Sequence, residues 1–547
     1  MRLCFVGFTA LFLAMGACSS SQTSNANPDP PADAGATDSD AGTATPTWTK
    51  CSLAPYKDDG LAECASIDVP RDYDDPTSGT IAIALKRIAA KTETRRGTLW
   101  LLHGGPGASG VAALEGLARE LPKLVPDLDY ISLDHRGVGK SERLGCPSAE
   151  LTGSDGEEEI TEKEWPACIA ALETKYGAKG MQAFTTTAAA RDVGFLIDKL
   201  KNPGDKTLVW GGSYGSFLAE RYMQLFPDQP DGVVIEGIVG TQLSFETYAR
   251  DMNEVGKQVF AKCAANAACR AKLGDDPWAA AQALIASFDK GHCPELGVTG
   301  EVMRSFLGSF LFYEQVRDAI APLVYRAQRC NGADVSAIFH ASSLLFGGGA
   351  TEGASPKTSR IARPRPLMNR TFGLGPFEDS RALFYQVSLV EFWSANGPTA
   401  AAADAELATL TTATTLTRDM ARVAALWPSA WLKDDPDKHT LARFDKPLLM
   451  LQGGLDPATP AQYTTALRDH FRAPNQTYVL FPEAAHDPAN GTFTKDGKKC
   501  ALSIYVSFIQ DPTAALDTSC VANIAPMSFL ASPSVSNAIF GTANAWD

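Results

Sequence analysis

The sequence predicts an α/β fold, with a mostly parallel sheet, flanking helices and a helical domain inserted between two of the strands. Residues 98–102 form a continuous apolar run, which is typical of a strand buried on both faces of a sheet. Such runs alternate with helical patterns, and this alternation favours parallel strands joined by helices. Between residues 243 and 444 the alternation stops and alanine-rich helical stretches take over, so we expect a helical cap there.

The individual elements follow from the same patterns. Short apolar runs predict strands at residues 80–85, 98–102, 130–133, 207–210, 233–235, 447–451 and 477–481. Helical patterns predict helices at residues 187–200, 216–226 and 501–509, of which the last is expected to close the fold. Within the cap, the Ala/Thr-rich run 399–417 suits a helix, and the Gly/Ser/Pro-rich segment 347–365 predicts a mobile loop.

The first residues have the pattern of an export signal. Arg2 precedes an apolar run from Leu3 to Met15, which is too short to span a bilayer as a permanent helix. The small residues before Cys18 resemble a bacterial lipoprotein signal, in which cleavage leaves the cysteine as a lipidated N-terminus. We therefore expect an exported lipoprotein of the bacterial cell envelope, at the outer membrane in a Gram-negative organism. Ordinary cleavage and secretion is the alternative.

Length and composition set the domain plan. A chain of 547 residues, 45% of them hydrophobic, can bury a large core and is too long for one minimal domain. Residues 19–48 carry almost no large apolar side chain and cannot offset their ordering entropy, which predicts a disordered linker. The predicted parts are a signal (1–18), the linker (19–48), a first part of the sheet domain (49–242), the cap (243–444) and a second part of the sheet domain (445–547).

Charge and cysteine content narrow the classes of partner. The net charge is -14 and no Lys/Arg run stands out, so a nucleic-acid partner is not expected. No cysteine pair has the spacing of a zinc knuckle and none lies in a Cys/His cluster, so no metal site is expected. Ten cysteines remain outside the signal, and an even number in an exported chain predicts disulfides, with sequential pairing as the simplest scheme and the connectivity left open: Cys51, Cys64, Cys146, Cys168, Cys263, Cys269, Cys293, Cys330, Cys500 and Cys520.

A sharp turn carries the strongest chemical signal in the chain. The apolar strand 207–210 ends in Gly211-Gly-Ser-Tyr-Gly215, and a helical pattern follows. Gly-x-Ser-x-Gly between a strand and a helix is the nucleophile elbow, in which a strained turn exposes the serine oxygen at the edge of a sheet. Ser213 is therefore the candidate nucleophile. The helix start behind it presents backbone N–H groups to a developing oxyanion.

A serine nucleophile needs a base, and the base needs an acid that orients it. In folds with this elbow the chain order is serine, then Asp or Glu, then His. Asp456 follows the strand 447–451 and His486 follows the strand 477–481, so both are expected at the edge of the sheet where Ser213 lies. Asp487 is a rival for the acid, but it adjoins the histidine and is not expected to reach the imidazole.

A glycine-rich turn supplies the fourth part of the site. His103-Gly-Gly-Pro-Gly107 follows the strand 98–102 directly, and a backbone without Cβ atoms can approach a substrate closely. We expect the N–H groups of Gly105 and Tyr214 to form an oxyanion hole.

Taken together, the motifs resemble those of the prolyl aminopeptidase and secreted tripeptidyl aminopeptidase family of α/β-hydrolases. The motifs that carry the resemblance are His103-Gly-Gly-Pro-Gly107, Asp134-His-Arg-Gly-Val-Gly-Lys-Ser141, Gly211-Gly-Ser-Tyr-Gly215, Gly454-Leu-Asp-Pro-Ala-Thr-Pro460 and Val69-Pro-x-Asp-Tyr-x-x-Pro76. The resemblance implies an α/β-hydrolase fold with a cap, and removal of one to three residues from a free peptide N-terminus through an acyl-enzyme. It also implies that Arg136 ties its loop down. The chain departs from the family in the residues around His486 and in the cap, where specificity resides.

An aminopeptidase must hold the substrate ammonium, usually with a carboxylate in a partly desolvated pocket. Glu391 lies among apolar residues at a cap position that resembles an acidic site of the family. Glu236 ends the strand 233–235 at the catalytic edge. The alternative for both is a structural ion pair or a solvated helix face.

The sequence thus predicts an exported serine exopeptidase that acts on peptides and requires no cofactor or metal. A carboxylesterase or amidase of the same fold is the first alternative, because fold and triad do not select the substrate. A non-catalytic envelope binding protein is the second alternative. Contact with a membrane is expected only through the lipid anchor at Cys18, and the oligomeric state is left open.

Overall fold

The structure is a computed structural model that describes residues 46–54, 58–150, 154, 160–346, 378–529 and 532–547. Residues Thr45–Asp547 form one compact unit. The predicted signal, all but the last three residues of the predicted linker, and the predicted loop 347–365 lie outside the described residues. In the part of the chain that the structure describes, we find no helix with both the length and the apolar character needed to cross a bilayer.

A nine-stranded sheet forms the centre of the fold. The strands are β1 (Thr49–Cys51), β2 (Ala62–Pro70), β3 (Thr80–Ile88), β4 (Gly97–Leu102), β5 (Leu128–Leu133), β6 (Lys206–Gly212), β7 (Gly232–Glu236), β8 (Leu448–Gly453) and β9 (Gln476–Phe481). Their spatial order is β1-β2-β3-β5-β4-β6-β7-β8-β9. From β5 to β9 all neighbours are parallel. This confirms the predicted, mostly parallel sheet.

The antiparallel edge of the sheet departs from the sequence prediction. β1, β2, β3 and β5 pair antiparallel, and β1 and β2 were not among the predicted strands. β2 is half exposed along most of its length, whereas β4, β5 and β8 are buried at every position. An edge strand with mixed polarity lacks the continuous apolar run that identifies the central strands.

Helices cover the sheet and fill the insertion between β7 and β8. They are α1 (Gly110–Ala118), α2 (Leu121–Leu124), α3 (Trp165–Met181), α4 (Thr186–Leu200), α5 (Tyr214–Leu225), α6 (Tyr248–Ala265), α7 (Ala267–Leu273), α8 (Pro277–Phe288), α9 (Gly300–Phe310), α10 (Glu314–Arg317), α11 (Ile320–Arg329), α12 (Gly332–Phe346), α13 (Arg381–Glu391), α14 (Ala400–Leu407), α15 (Leu416–Ala424), α16 (Thr465–His470), α17 (Pro488–Gly491), α18 (Cys500–Gln510) and α19 (Pro533–Phe540). Helices α6 to α15 lie in the insertion.

Two details of the helices differ from the sequence prediction. The Ala/Thr-rich run 399–417 contains α14 and the start of α15, with a break between them. The helix expected to close the fold is α18, but α19 follows it.

Two apolar clusters sandwich the sheet. One cluster joins Val209 and Ile235 of the sheet to Phe306 and Trp431 of the insertion. The other packs Tyr505 of α18 against the opposite face of the sheet. Because the first cluster runs from the sheet into the insertion without interruption, burial of apolar surface holds the insertion against the sheet.

The ten cysteines outside the signal form five disulfides, and their pairing is sequential, as the simplest scheme predicts. The pairs are Cys51–Cys64, Cys146–Cys168, Cys263–Cys269, Cys293–Cys330 and Cys500–Cys520.

A buried ion pair holds the loop after β5 against the sheet. The guanidinium of Arg136 donates to both carboxylate oxygens of Asp192, at 2.6 and 2.8 Å. It also donates to the carbonyl oxygens of Pro70, Arg71 and Ala183. The side chains of Arg136 and Asp192 are 1% and 0% exposed. Arg136 therefore ties its loop to β2 and α4, in agreement with the structural role that the resemblance implies.

Candidate active site

The nucleophile elbow has the geometry that its sequence predicts. Ser213 has φ 56° and ψ -130° between β6 and α5, a strained combination for a residue with a Cβ. Glycines make the turn possible, because a Cβ on Gly215 would overlap the carbonyl oxygen of Leu102. The N–H of Ser213 donates to the carbonyl oxygen of Glu236 at 3.0 Å. The elbow is therefore anchored to the end of the neighbouring strand β7.

Asp456 and His486 meet at the carboxyl ends of two adjacent parallel strands. Asp456 lies in the loop after β8, and His486 lies in the loop after β9. Nδ1 of His486 is 3.0 Å from Oδ1 and 2.9 Å from Oδ2 of Asp456. An ionised carboxylate can only accept, so we assign the imidazole proton to Nδ1. The lone pair of the neutral ring is then on Nε2.

The Asp456 carboxylate is fixed by its own turn. The side chain is fully buried. Its Oδ1 accepts from the N–H groups of Ala458 and Thr459, at 2.8 and 2.9 Å, and its Oδ2 accepts from the Thr459 hydroxyl at 2.7 Å. An aspartate that binds the backbone two and three residues ahead is typical of an Asx turn. These bonds fix the carboxylate in an orientation that faces His486.

Two glycines place the elbow, the imidazole and the glycine-rich loop at one corner of the sheet. A Cβ on Gly237 would lie 3.1 Å from Cε1 and 3.2 Å from Nδ1 of His486. Gly237 directly follows Glu236, whose carbonyl oxygen binds the Ser213 N–H. On the other side, a Cβ on Gly104 would lie 2.8 Å from Cβ and 3.3 Å from Oγ of Ser213. Close backbone approach at these glycines brings the predicted site residues together.

Of the predicted oxyanion donors, Tyr214 directly follows Ser213, and Gly105 directly follows Gly104, whose backbone approaches Ser213. Tyr214 is the first residue of α5, so its N–H has no acceptor within the helix. Gly105 has φ +120°, a region that favours glycine. The insertion pins this loop, because the Ser380 N–H donates to the Gly107 carbonyl oxygen at 2.8 Å. The loop is therefore held in place from the start of α13.

The electrostatic setting of His486 suits a general base. Burial lowers the pKa of His486, but the Asp456 carboxylate, with smaller contributions from Asp487 and Glu236, raises it above the usual value. The base is thus stronger than a free imidazole.

The other described histidines have different settings. Burial lowers the pKa of His103 and of His135 to about 4, so both are neutral over the physiological range. His292, His340 and His470 each lie within hydrogen-bond distance of a backbone carbonyl oxygen. His486, by contrast, has the Asp456 carboxylate on its Nδ1.

The structure places Glu391 in a buried polar cluster beside α5. The side chain is fully buried, and Oε2 is 3.8 Å from Nη2 of Arg221. Burial raises the pKa of Glu391, and the charge of Arg221 opposes that rise. Arg221 also pairs with Asp435. Both carboxylate oxygens of Glu391 are buried, and neither has a hydrogen-bond partner in the part of the chain that the structure describes. The amine-binding role therefore stays a prediction beside the ion-pair alternative.

Glu236 has polar contacts on both carboxylate oxygens. Oε2 accepts from Nη1 of Arg119 and from Nε1 of Trp210, each at 3.1 Å. Oε1 accepts from the N–H of Ala489 at 2.6 Å. Glu236 is 2% exposed. These contacts favour the ion-pair alternative over a site for a substrate ammonium.

Sequence reasoning missed three residues that support the site. Thr459 and Gln452 contact Asp456, and Arg119 binds Glu236. The turn sequence Asp456-Pro-Ala-Thr459 was a usable signal, since an aspartate in a turn binds the backbone just ahead of it. Arg119 had no such signal, because it lies 117 residues from Glu236 and 368 from Asp487.

The two segments that carry the candidate triad residues each match the model of a known family. Residues 97–271, which include Ser213, match the model described as alpha/beta hydrolase fold. Residues 413–520, which include Asp456 and His486, match the model described as TAP-like protein.

Several curated proteins are similar to parts of this chain. Serine protease Hip1 of Mycobacterium tuberculosis is 30% identical over 260 residues, which are 42% of this chain and 47% of that protein. Tripeptidyl aminopeptidase of Streptomyces lividans is 28% identical over 208 residues, 35% of this chain and 38% of that protein. Carboxylesterase B of Mycobacterium tuberculosis is 34% identical over 99 residues, 17% of this chain and 19% of that protein.

The chain spans less than half the length of each of these relatives. The sheet order, the elbow and the two matched models agree, and the resemblance drawn from the motifs is confirmed. The chain has the α/β-hydrolase fold, and its residues 413–520 are similar to the TAP-like protein model.

Proposed function

We propose that this protein is a serine exopeptidase that removes residues from the free N-terminus of peptides. The observation that carries the proposal is the buried Asp456 carboxylate on Nδ1 of His486, at the same corner as the strained Ser213. The similarity to a serine protease and to a tripeptidyl aminopeptidase supports a peptide substrate.

The proposed mechanism follows from these positions. Oγ of Ser213 forms a bond to the scissile carbonyl carbon while its proton passes to Nε2 of His486. The N–H groups of Tyr214 and Gly105 stabilise the oxyanion, and Asp456 stabilises the imidazolium. Collapse breaks the C–N bond, and His486 returns the proton to the leaving amine. Water then attacks the acyl-enzyme with His486 as base, which releases the acid and restores Ser213.

The main alternative is an esterase or amidase with the same triad, and the similarity to carboxylesterase B supports it. A panel of substrates separates the exopeptidase from the esterase. It contains aminoacyl, dipeptidyl and tripeptidyl reporters, each with a free and with a blocked N-terminus, and a short acyl ester. The exopeptidase proposal expects cleavage of the free-amine peptides alone. Equal cleavage of blocked peptides, or cleavage of the ester only, would refute it. A non-catalytic binding protein would cleave none.

We further propose that the protein is exported and anchored by a lipid on Cys18. The five disulfides support an oxidising compartment. In cells fed a radiolabelled fatty acid, the full chain should take up label and enter a detergent phase, and Cys18→Ala should do neither. Unlabelled wild-type protein in the culture medium would favour plain secretion.

The pH dependence should report the raised pKa of His486. The base must be neutral to accept the Ser213 proton, and it is protonated below its pKa. Because that pKa lies above the usual 6.5, kcat/KM should fall as pH drops through a value above 6.5. Rates measured from pH 5 to 9 test this, with circular dichroism to show that the fold persists. A profile that stays flat down to pH 6 would contradict it.

Glu391→Gln tests whether Glu391 holds the substrate amine. From its contacts we expect unchanged KM for free-amine peptides and a loss of about 1–3 kcal/mol in stability, because Arg221 loses a buried partner. Glu406→Gln is the control, since its pair with Arg250 is more exposed. If KM rises for free-amine peptides and not for the ester, Glu391 is the amine site after all.

A further inference from the structure

A buried arginine joins the end of β7, which anchors the Ser213 elbow, to the loop that carries the proposed base. Arg119 follows α1, and its side chain is 9% exposed. Nη1 donates to Oε2 of Glu236 at 3.1 Å, and Nη2 donates to Oδ1 of Asp487 at 2.5 Å. Asp487 directly follows His486. One guanidinium therefore bridges the end of β7 and the loop after β9.

Glu236 contacts the Ser213 elbow and the loop after β9 directly. Its carbonyl oxygen accepts from the Ser213 N–H, which fixes the elbow. Its Oε1 accepts from the Ala489 N–H at 2.6 Å, in the first turn after His486. A shift of the Glu236 backbone would move the Ser213 elbow and the loop after β9 together. Loss of the Glu236 carboxylate would release only the loop after β9, which carries His486 (the base loop).

The bridge is built into the fold. Arg119 has φ 52°, an uncommon value for a residue with a side chain. Its guanidinium also lies over the Trp210 ring, 5.5 Å from the centroid, and Trp210 donates to Glu236. Burial lowers the pKa of Arg119, but Asp487 and Glu236 raise it above its usual value, so the cation is retained. Burial raises the pKa of Glu236, the Arg119 cation opposes that rise and Asp487 adds to it, so the two carboxylates share one cation beside the imidazole.

We propose that Arg119, Glu236 and Asp487 form a positioning bridge that holds the His486 loop against the Ser213 elbow. The bridge touches no reacting atom in this mechanism. The inference rests on the proposed function, because His486 must act as the base for the bridge to matter.

The charges around His486 come from several elements. Asp456 faces Nδ1 from the loop after β8, and Asp487 and Glu236 add negative charge from the base loop and β7. Arg119 supplies the opposing positive charge. From α10, Glu314 accepts from the Ala485 N–H just before the histidine. Removal of one negative charge should therefore lower the pKa of His486 and make it a weaker base.

The test measures labelling of Ser213 by a fluorophosphonate, whatever the natural substrate is. In this reaction Oγ bonds to phosphorus, fluoride leaves, and the serine proton passes to His486. Glu236→Gln should slow labelling and peptide kcat about 10- to 100-fold, because the amide has one acceptor oxygen and cannot bind both Arg119 and the Ala489 N–H. KM should stay unchanged, and the acid limb of the pH–rate profile should move to lower pH. Asp487→Asn should shift the limb in the same direction with a smaller loss of rate.

Two further variants separate positioning from simple destabilisation. Asp334→Asn breaks an equally buried pair with Arg326 and should lower thermal stability without moving the acid limb. Arg119→Lys keeps the charge and should restore part of the rate that Arg119→Ala loses. If Glu236→Gln does not fold, Asp487→Asn still decides, since its side chain is 28% exposed.

The outcomes distinguish this inference from the proposed function. The bridge is refuted if Glu236→Gln and Asp487→Asn lower thermal stability but keep the wild-type labelling rate and the wild-type acid limb of the pH–rate profile. If Ser213 of the wild-type protein is labelled but the protein cleaves no peptide, the exopeptidase proposal fails. The labelling rates of the variants still test the bridge. If wild-type Ser213 is not labelled at all, both are overturned.

Discussion

Replacement of Ser213 with alanine should lower kcat by about 10⁵- to 10⁶-fold, while the fold and substrate affinity persist. The loss is large because the acyl-enzyme cannot form, and the residual rate comes from binding and the oxyanion donors alone. The elbow should tolerate the change, since Ser213 is held by its backbone N–H to Glu236. The measurement is kcat on the best reporter of the panel, with thermal unfolding to confirm the fold.

The pattern of losses tests whether the three residues act as a unit. His486→Ala should lose about as much as Ser213→Ala, and the double variant should lose little more, because members of a triad are not additive. Asp456→Asn should lose about 10⁴-fold, since it favours the wrong imidazole tautomer. Ser503→Ala, on the exposed side of α18, is the control and should match wild type. Comparable losses for Ser213→Ala and Ser503→Ala would refute the triad.

Asp192→Ala should destabilise the protein by about 3–5 kcal/mol. The change leaves the Arg136 guanidinium buried without its counter-charge, and breaking a buried pair on one side costs this much. The remaining bonds from Arg136 to three carbonyl oxygens do not neutralise it. Urea unfolding of the purified body, residues 46–547, measures the effect as a shift in the midpoint.

A surface pair supplies the matched control. Asp74 pairs with Arg191, with side chains 62% and 32% exposed. Asp74→Ala should therefore change stability by no more than about 1 kcal/mol. If the two aspartate variants unfold at the same urea concentration, the buried Arg136–Asp192 pair stabilises the protein no more than the surface pair does.

The parts of the fold that the sequence predicts best are those with strong local signals. Strands β4 and β8 are continuous apolar runs, and each is followed by a short motif that carries chemistry. The same rule predicts that Ser213, Asp456 and His486 lie at one edge of the sheet, since parallel strands bring their carboxyl ends together. β1 and β2 were not predicted because an edge strand of mixed polarity lacks a continuous apolar run, although each pairs with a strand close to it in the sequence.

The roles of Glu391 and Glu236 illustrate the limit of local reasoning. Both are carboxylates among apolar neighbours, which equally suits a substrate anchor and a buried ion pair. The deciding partners are Arg221 and Arg119, which lie on other elements and have no fixed spacing from the carboxylates. Tertiary contacts of this kind become visible only when the chain is folded.

The helical insertion supports the catalytic loops as well as covering them. The carbonyl oxygen of Phe312 accepts from the His486 N–H at 3.4 Å, Glu314 accepts from Ala485, and Ser380 donates to Gly107. A graft of a foreign cap onto this sheet would have to reproduce these bonds, or the base and the oxyanion loop would relax. Substitutions in the insertion that break one of these bonds should therefore change turnover, although the insertion contributes none of the three proposed triad residues.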